Sequence, residues 1–461
     1  MRLEVDAPSI SQRESIQALQ EFQDELLPET IANALQTSFY REHWAGCDVG
    51  DINRYNLSKL PTVGKEHIRA AGAGAQVRAG VICDDVFTTG TTGNPLTTVR
   101  SNREQKFIRE FFGRQLKERP VTRLLRGLEF KNPYHGHLIG VPALIHYHKV
   151  SVYDAGSFDY ARNTLICSHN DANVEERCSI LLGLERCLRA FTLDTISKFP
   201  GGFSGPELRV VVSYSQYLTY AWRRRLQDTW EAPVIDRFGV SEVFGGASQC
   251  LHCGWYHFEP FVIPEVVGAH SGETMSSGAG LLALTALYPF QQAQPLVRYL
   301  TGDLVETTTE LSCRPGTTAI KPLGRARYGV PDPGTDRWLM TPASVLEAVD
   351  EIPEIQRTPR FVGVGQIRDP YAIGHPKYRT RWSKEGPRLR SKIEFVVAPG
   401  TSDDRRKAIC SEILNHVVKA NRALDLAVRE GAASIEVETC DDMEEGDLIA
   451  QAHSGGVWSD A

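Results

Sequence analysis

No stretch of this sequence approaches the roughly 18 consecutive apolar residues that a membrane-spanning helix needs, so no membrane partner is expected. Residues 1–6 lack the apolar core of a secretory signal, which gives the expectation of a cytoplasmic protein. Basic charge is not in excess either. The chain has 51 Lys+Arg against 57 Asp+Glu and a formal charge of -6, which disfavours nonspecific binding to nucleic acid. The run Arg223, Arg224, Arg225 reads as a solvated helix face. Ten cysteines are scattered without a secretory context, so they read as reduced thiols and not as a disulfide framework. What remains is ordinary globular composition, 41% hydrophobic and 23% charged over 461 residues, enough for a large core and a second domain.

One local stretch stands out. After the strand-like Asp84, Asp85, Val86 and Phe87 comes Thr88, Thr89, Gly90, Thr91, Thr92, Gly93, Asn94 and Pro95. Two glycines that reach positive φ and four threonine hydroxyls can gather donors around a phosphate. The same composition also makes a tight hairpin turn. A P-loop NTPase needs a lysine directly after its last glycine, and Asn94 stands there instead. Residues 97–101 read as the returning strand, and 102–118 as a charged helix.

Elsewhere, helical spacing runs through 8–39, 174–191, 219–230, 341–352 and 405–428. Apolar β-rich runs occupy 138–152, 207–212, 234–238 and 393–397. Their alternation is the signature of α/β layering. The aromatic and imidazole-rich loop Asn132 to His137 suits either a pocket wall or a surface loop. Phe238 and Gly239, followed by Glu242, suit base stacking and a metal-binding carboxylate. Asp303, in a Gly-Asp turn, suits ribose hydroxyls.

In order along the chain, Thr88 to Pro95, Phe238-Gly239-Val240-Ser241-Glu242, Arg298-Tyr299-Leu300-Thr301-Gly302-Asp303-Leu304 and Gly324-Arg325 resemble the motifs of the adenylate-forming (acyl-CoA synthetase-like) superfamily, and more closely its phenylacetate-CoA ligase branch. The resemblance implies an α/β fold: a large N-terminal domain (1–323) of layered α/β subdomains with a small β-rich part, then a smaller, mobile α+β lid (324–461). It implies ATP-dependent activation of a small, aromatic carboxylic acid as acyl-AMP, followed by transfer to a thiol such as coenzyme A or to an amine. Carried over, Thr88, Thr89, Gly90, Thr91, Thr92 and Gly93 would wrap the phosphates, with Thr91 and Glu242 catalytic. Phe238 and Gly239 would lie at the adenine, Glu242 would help to bind Mg²⁺, and Asp303 with Arg325 would meet the ribose. Homodimers occur in the family.

Cys250 and Cys253 form a C-x2-C knuckle four residues ahead of His257, a spacing that suits structural zinc. Thiols that merely lie close together are the alternative. Cys313 stands in a segment resembling a cysteine turn of the phenylacetate branch and completes the set, with His252 as a substitute. Relatives carry a lysine near the C-terminus that contacts the reacting groups, but the last lysine here is Lys419. The corresponding alternative is a non-catalytic relative that binds nucleotide or acyl-adenylate.

Overall fold

The computed structural model describes residues 16–81, 83–87, 97–117, 123–130, 145–150, 156–314, 316–357, 375–386 and 388–443. The Thr/Gly stretch at 88–96, including every proposed phosphate-binding residue, and the loop at 132–137 lie outside them.

The N-terminal part holds helices α1 (Ile16–Ala34), α2 (Ser38–His43), α3 (Lys65–Ala71) and α4 (Ala73–Gln76). A hairpin follows, β1 (Cys83–Phe87) against β2 (Thr97–Ser101), paired antiparallel as expected, and then α5 (Asn102–Lys117). Next come β3 (Leu125–Phe130), β4 (Ile145–Val150), α6 (Gly156–Ile166), β5 (Ile180–Leu184), α7 (Glu185–Lys198), β6 (Val210–Tyr214), α8 (Tyr220–Trp230) and β7 (Val234–Gly239). The β-rich part adds β8 (Gly246–Gln249), β9 (Tyr256–Phe258), β10 (Val262–Val267), β11 (Ser277–Ala286), β12 (Tyr299–Thr308) and β13 (Ala319–Arg325). Among the described residues eleven strands form one sheet in the order β10-β11-β12-β13-β9-β8-β7-β6-β5-β3-β4. Strands β4, β3, β5, β6 and β7 run parallel, and the rest of the sheet is antiparallel.

The C-terminal part contains the pair β14 (Val330–Pro331) and β15 (Trp338–Met340), helix α9 (Pro342–Asp350), and β16 (Tyr378–Glu385) and β17 (Arg388–Phe395). Helices α10 (Asp403–Ala420) and α11 (Arg422–Arg429) and strand β18 (Ala433–Thr439) complete it, with β16, β17 and β18 in a separate sheet.

Local chemistry explains many boundaries. The hydroxyls of Thr219 and Thr341 accept from the backbone N–H groups of Trp222 and Ser344, capping α8 and α9, as N-cap residues do. Pro342 occupies the first turn of α9, where its missing N–H costs nothing.

Two expectations are corrected. Residues 174–191 are not one helix: Ile180–Leu184 is a buried strand and α7 begins only at Glu185. Short apolar runs do not by themselves separate strand from helix. The run at 405–428 is two helices, parted at Asn421, whose side-chain amide donates to the Val417 carbonyl. Of the arginine run, Arg223 donates to the Val234 carbonyl and Arg225 lies over the Trp222 ring, so only part of it is a solvated face.

Three cores result. One packs α1 and α2 under the antiparallel strands, around Leu27, Tyr40, Phe261 and Tyr299. A second lies between the parallel strands and α6, α7 and α8, around Phe130, Phe191 and Trp222. A third joins Val330 to Met443 around Tyr378, Ile393, Phe395 and Ile413.

Candidate active site

Strands β6 and β7 are neighbours at the place where the sheet changes from parallel to antiparallel. Open α/β sheets bind ligands at the carboxyl ends of such strands. A cavity of about 110 Å³ lies there. Phe238, Gly239, Asp303 and Arg325, four residues assigned to nucleotide from the sequence, all line it. The opposite wall comes from the C-terminal part, with Pro342, Ala343 and Leu346 of α9 and His375.

Asp303 and Arg325 are cross-strand partners on β12 and β13. Arg325 Nη1 lies 3.2 Å from Asp303 Oδ1 and donates to the Thr301 carbonyl at 3.0 Å. The turn that presents Asp303 needs Gly302, whose φ is +79°, a conformation glycine adopts freely. The Thr301 hydroxyl accepts from the Asp303 backbone N–H. Asp303 Oδ2 is buried and makes no hydrogen bond. A buried acceptor without a partner is costly, so this oxygen is available to a hydroxyl in the cavity.

Asp236 lines the same cavity and was not singled out from the sequence. The Tyr256 hydroxyl donates to its Oδ2 at 2.6 Å, while Oδ1 makes no hydrogen bond. Burial pushes its carboxyl up to about 7, against the opposing influence of Tyr256 and Arg223. A carboxyl raised in the folded state adds stability below its unfolded value, and that stability is lost as pH rises through the folded one. The thermal midpoint of the wild type therefore falls between pH 5 and 8 relative to Asp236→Asn. Parallel pH profiles for the two proteins would refute this.

Glu242 follows β7 and is 5% exposed. Its Oε1 accepts the Tyr299 hydroxyl at 3.0 Å and lies 3.0 Å from Lys65 Nζ. Burial opposes its ionisation, but the charge and hydrogen bond of Lys65, with Arg325 further off, hold its carboxyl below the usual range. Lys65 was also not singled out. It opens α3, and the chain just before it is tied to β12: Val63 N–H donates to the Arg298 carbonyl and Leu300 N–H to the Val63 carbonyl. Arg298, buried and paired with Glu265, anchors the preceding turn through the Ser58 carbonyl. A motif scan cannot see this pairing, because Lys65 belongs to no motif and meets Glu242 only through β12.

Cys250, Cys253, His257 and Cys313 converge, with one ligand atom from each within 4.8 Å of all the others. His257 Nε2 lies 3.4 Å from Cys253 Sγ and 3.3 Å from Cys313 Sγ. Cys250 N–H donates to the Trp255 carbonyl and Gly254 N–H to that of Cys250, closing the knuckle. Gly254 turns it at φ +74°. His252 is exposed and stands outside the group. Three sulfurs and one imidazole in a closed set are a donor combination suited to zinc in a structural role. The cluster sits where β9 meets β13, a join of two residue pairs, Ala319 with His257 and Ile320 with Tyr256. Among the described residues, no helix is long and apolar enough to cross a membrane.

No protein-family profile matches the chain. It is 35% identical over 109 residues to a phenylacetate-coenzyme A ligase of Escherichia coli (strain K12), covering 23% of this chain and 24% of that protein. It is 30% identical over 142 residues to a phenylacetate-coenzyme A ligase of Thermus thermophilus, covering 29% of this chain and 31% of that protein. The matches thus span about a quarter to a third of the length of these curated relatives. An open conformation of 2-hydroxyisobutyryl-CoA ligase, crystallised with 2-HIB-AMP and CoA, superposes with a TM-score of 0.66 at 14% identity, over 94% of this chain and 91% of that one. The chain has the fold of the adenylate-forming acyl-CoA ligases, and the resemblance read from its motifs, including that to the phenylacetate-CoA ligase branch, is borne out.

Proposed function

We propose that this protein is an ATP-dependent ligase that activates a small, aromatic carboxylic acid as its acyl-adenylate and passes the acyl group to a thiol, with coenzyme A as the acceptor. The observation that carries this is the convergence of Phe238, Gly239, Asp303 and Arg325 on one cavity, with the unpartnered Asp303 Oδ2 buried there. In the first step a carboxylate oxygen of the acid attacks the α-phosphorus, and the bond to pyrophosphate breaks. In the second, the acceptor thiolate attacks the acyl carbonyl and AMP leaves. Neither step needs a protein nucleophile, so positioning and electrostatics carry the rate.

Each residue has a part in this reading. Asp303 Oδ2 accepts a ribose hydroxyl while Arg325 holds the other carboxylate oxygen. Phe238 and Gly239 flank the base, and Asp236 lines the same cavity. Thr88 to Gly93, with Thr91 among the catalytic groups, contact the phosphates. Glu242, kept ionised by Lys65, suits a hard cation. Glu242 would hold Mg²⁺, which would neutralise phosphate charge. Lys65 is a cation on the large body, in a chain without a lysine beyond Lys419. Cys250, Cys253, His257 and Cys313 hold structural zinc that braces the β8–β9 turn. The large domain covers 1–323 and the mobile lid 324–461.

The test is pyrophosphate release with ATP, Mg²⁺ and a panel of aryl and short-chain acids. Release with at least one aryl acid, followed by thioester formation with coenzyme A, is the expected result. No release above a Glu242→Ala control with any acid would overturn the reading in favour of a nucleotide-binding relative, and transfer to an amine alone would change the acceptor.

A further inference from the structure

Arg100, on the strand that leaves the Thr/Gly stretch, is 2% exposed. Its Nη2 donates to the Ser241 carbonyl at 3.2 Å and to the Glu242 carbonyl at 3.0 Å. Its Nε and Nη1 make no hydrogen bond. The nearest carboxylate, Glu104, stands 3.7 Å away, and Glu104 Oε2 accepts instead from the backbone N–H groups of Gln292 and Ala293. A buried guanidinium with Nε and Nη1 out of hydrogen-bond reach is a poor stabilising device, since desolvation exceeds what it recovers. What it does achieve is a fixed turn at Ser241 and Glu242.

A second contact converges on the same place. Gln291 Nε2 donates to the Glu242 carbonyl at 3.2 Å, and Gln291 Oε1 accepts from the Phe244 N–H at 3.0 Å. The neighbouring Gln294 Oε1 accepts from the Val99 N–H at 3.1 Å, so the 291–294 turn holds β2 as well. The Glu242 main chain is thus clamped from two sides, and both clamps lead to β2.

We infer that Arg100 is a positioning residue, which fixes the Glu242 turn relative to β2 and so sets the Glu242 carboxylate against the phosphates of bound nucleotide. The inference rests on the proposed role of Glu242 and deepens it. Arg100 touches no reacting atom. Its charge-assisted bonds to two successive carbonyls restrict the turn, and small displacements of a positioned group cost large factors in rate.

The experiment compares wild type, Arg100→Met and Arg100→Lys. Methionine keeps the stem volume but leaves the buried Glu104 without the cation 3.7 Å away, which lowers the thermal midpoint, so rates are compared per folded molecule and Arg100→Lys serves as the charge-retaining control. In pyrophosphate exchange, kcat of Arg100→Met should fall about 10- to 100-fold, with KM for ATP within about threefold of wild type. The Mg²⁺ concentration for half-maximal rate should rise, and lysine should recover part of the loss. A kcat within twofold of wild type, or a loss that tracks the unfolded fraction alone, overturns the inference. Wild type inactive with every acid would instead be the failure of the ligase reading. Amide hydrogen exchange over residues 241–244 then decides the matter: faster exchange in Arg100→Met supports the clamp, and unchanged exchange rejects it.

Discussion

Glu242→Gln should leave the fold intact while pyrophosphate exchange falls on the order of 10²- to 10³-fold. The amide keeps the size of the side chain and can still accept the Tyr299 hydroxyl, but it removes the charge that the site is built to preserve. The converse substitution acts on the same pair. Lys65→Met leaves a buried carboxylate without its counter-charge, a change that costs less than the about 3–5 kcal/mol of a fully buried pair, because the Lys65 side chain is 28% exposed. With Lys65 present, the Glu242 carboxyl is depressed in the folded state, so its stabilisation is present above its unfolded value and lost as pH falls through the folded one. In Lys65→Met the carboxyl rises, so stability should fall as pH increases toward neutrality, while exchange activity, which needs the ionised carboxylate, should rise over the same range. Denaturant melts and exchange assays across pH 5 to 8 measure both. Glu242→Gln retaining near wild-type exchange would remove Glu242 from the machinery, and a Lys65→Met variant as stable as wild type would show that the pair is dispensable.

The purified protein should carry one equivalent of zinc, and a Cys250→Ser/Cys253→Ser double variant should carry none. Structural zinc contributes folding free energy directly. Here it would tie the β8–β9 turn to the β12–β13 turn across the two-pair join of β9 and β13. Loss of the ion, in the variant or after chelation, should therefore lower the thermal midpoint by about 5 °C or more. Elemental analysis and calorimetry check this. One equivalent retained in the double variant would exclude the ligand set, and metal-free wild type at full stability would leave four thiol and imidazole groups that merely lie near one another.

The parts of the site legible in the sequence were those confined to short contiguous segments. Phe238, Gly239, Asp303 and Arg325 each sit in a strand-to-turn motif, and the fold brings all four to one cavity. The same holds for the cysteine knuckle, where three residues lie within eight positions and only Cys313 comes from afar. Asp236 was passed over although it shares its strand with Phe238. On a strand buried at alternate positions, Val234 and Asp236 point the same way, so a carboxylate on that face was the available signal. Lys65, Tyr299 and Arg100 meet Glu242 or its turn from three separate elements, and no local pattern encodes such a meeting. In the fold, Ile180–Leu184 was absorbed into a helix because an apolar strand running straight into α7 leaves no break between the two periods.

The cavity has one wall from the sheet and the other from α9 and His375, which belong with the third core. A ligand bound there touches two units that already meet through Asp350 of α9, buried against Arg189 and Thr219. Its binding free energy, about 2.7 kcal/mol at a hundred times Kd, then counts toward both at once. A bound molecule would then add to the buried Arg189–Asp350 pair as part of the interface between the halves.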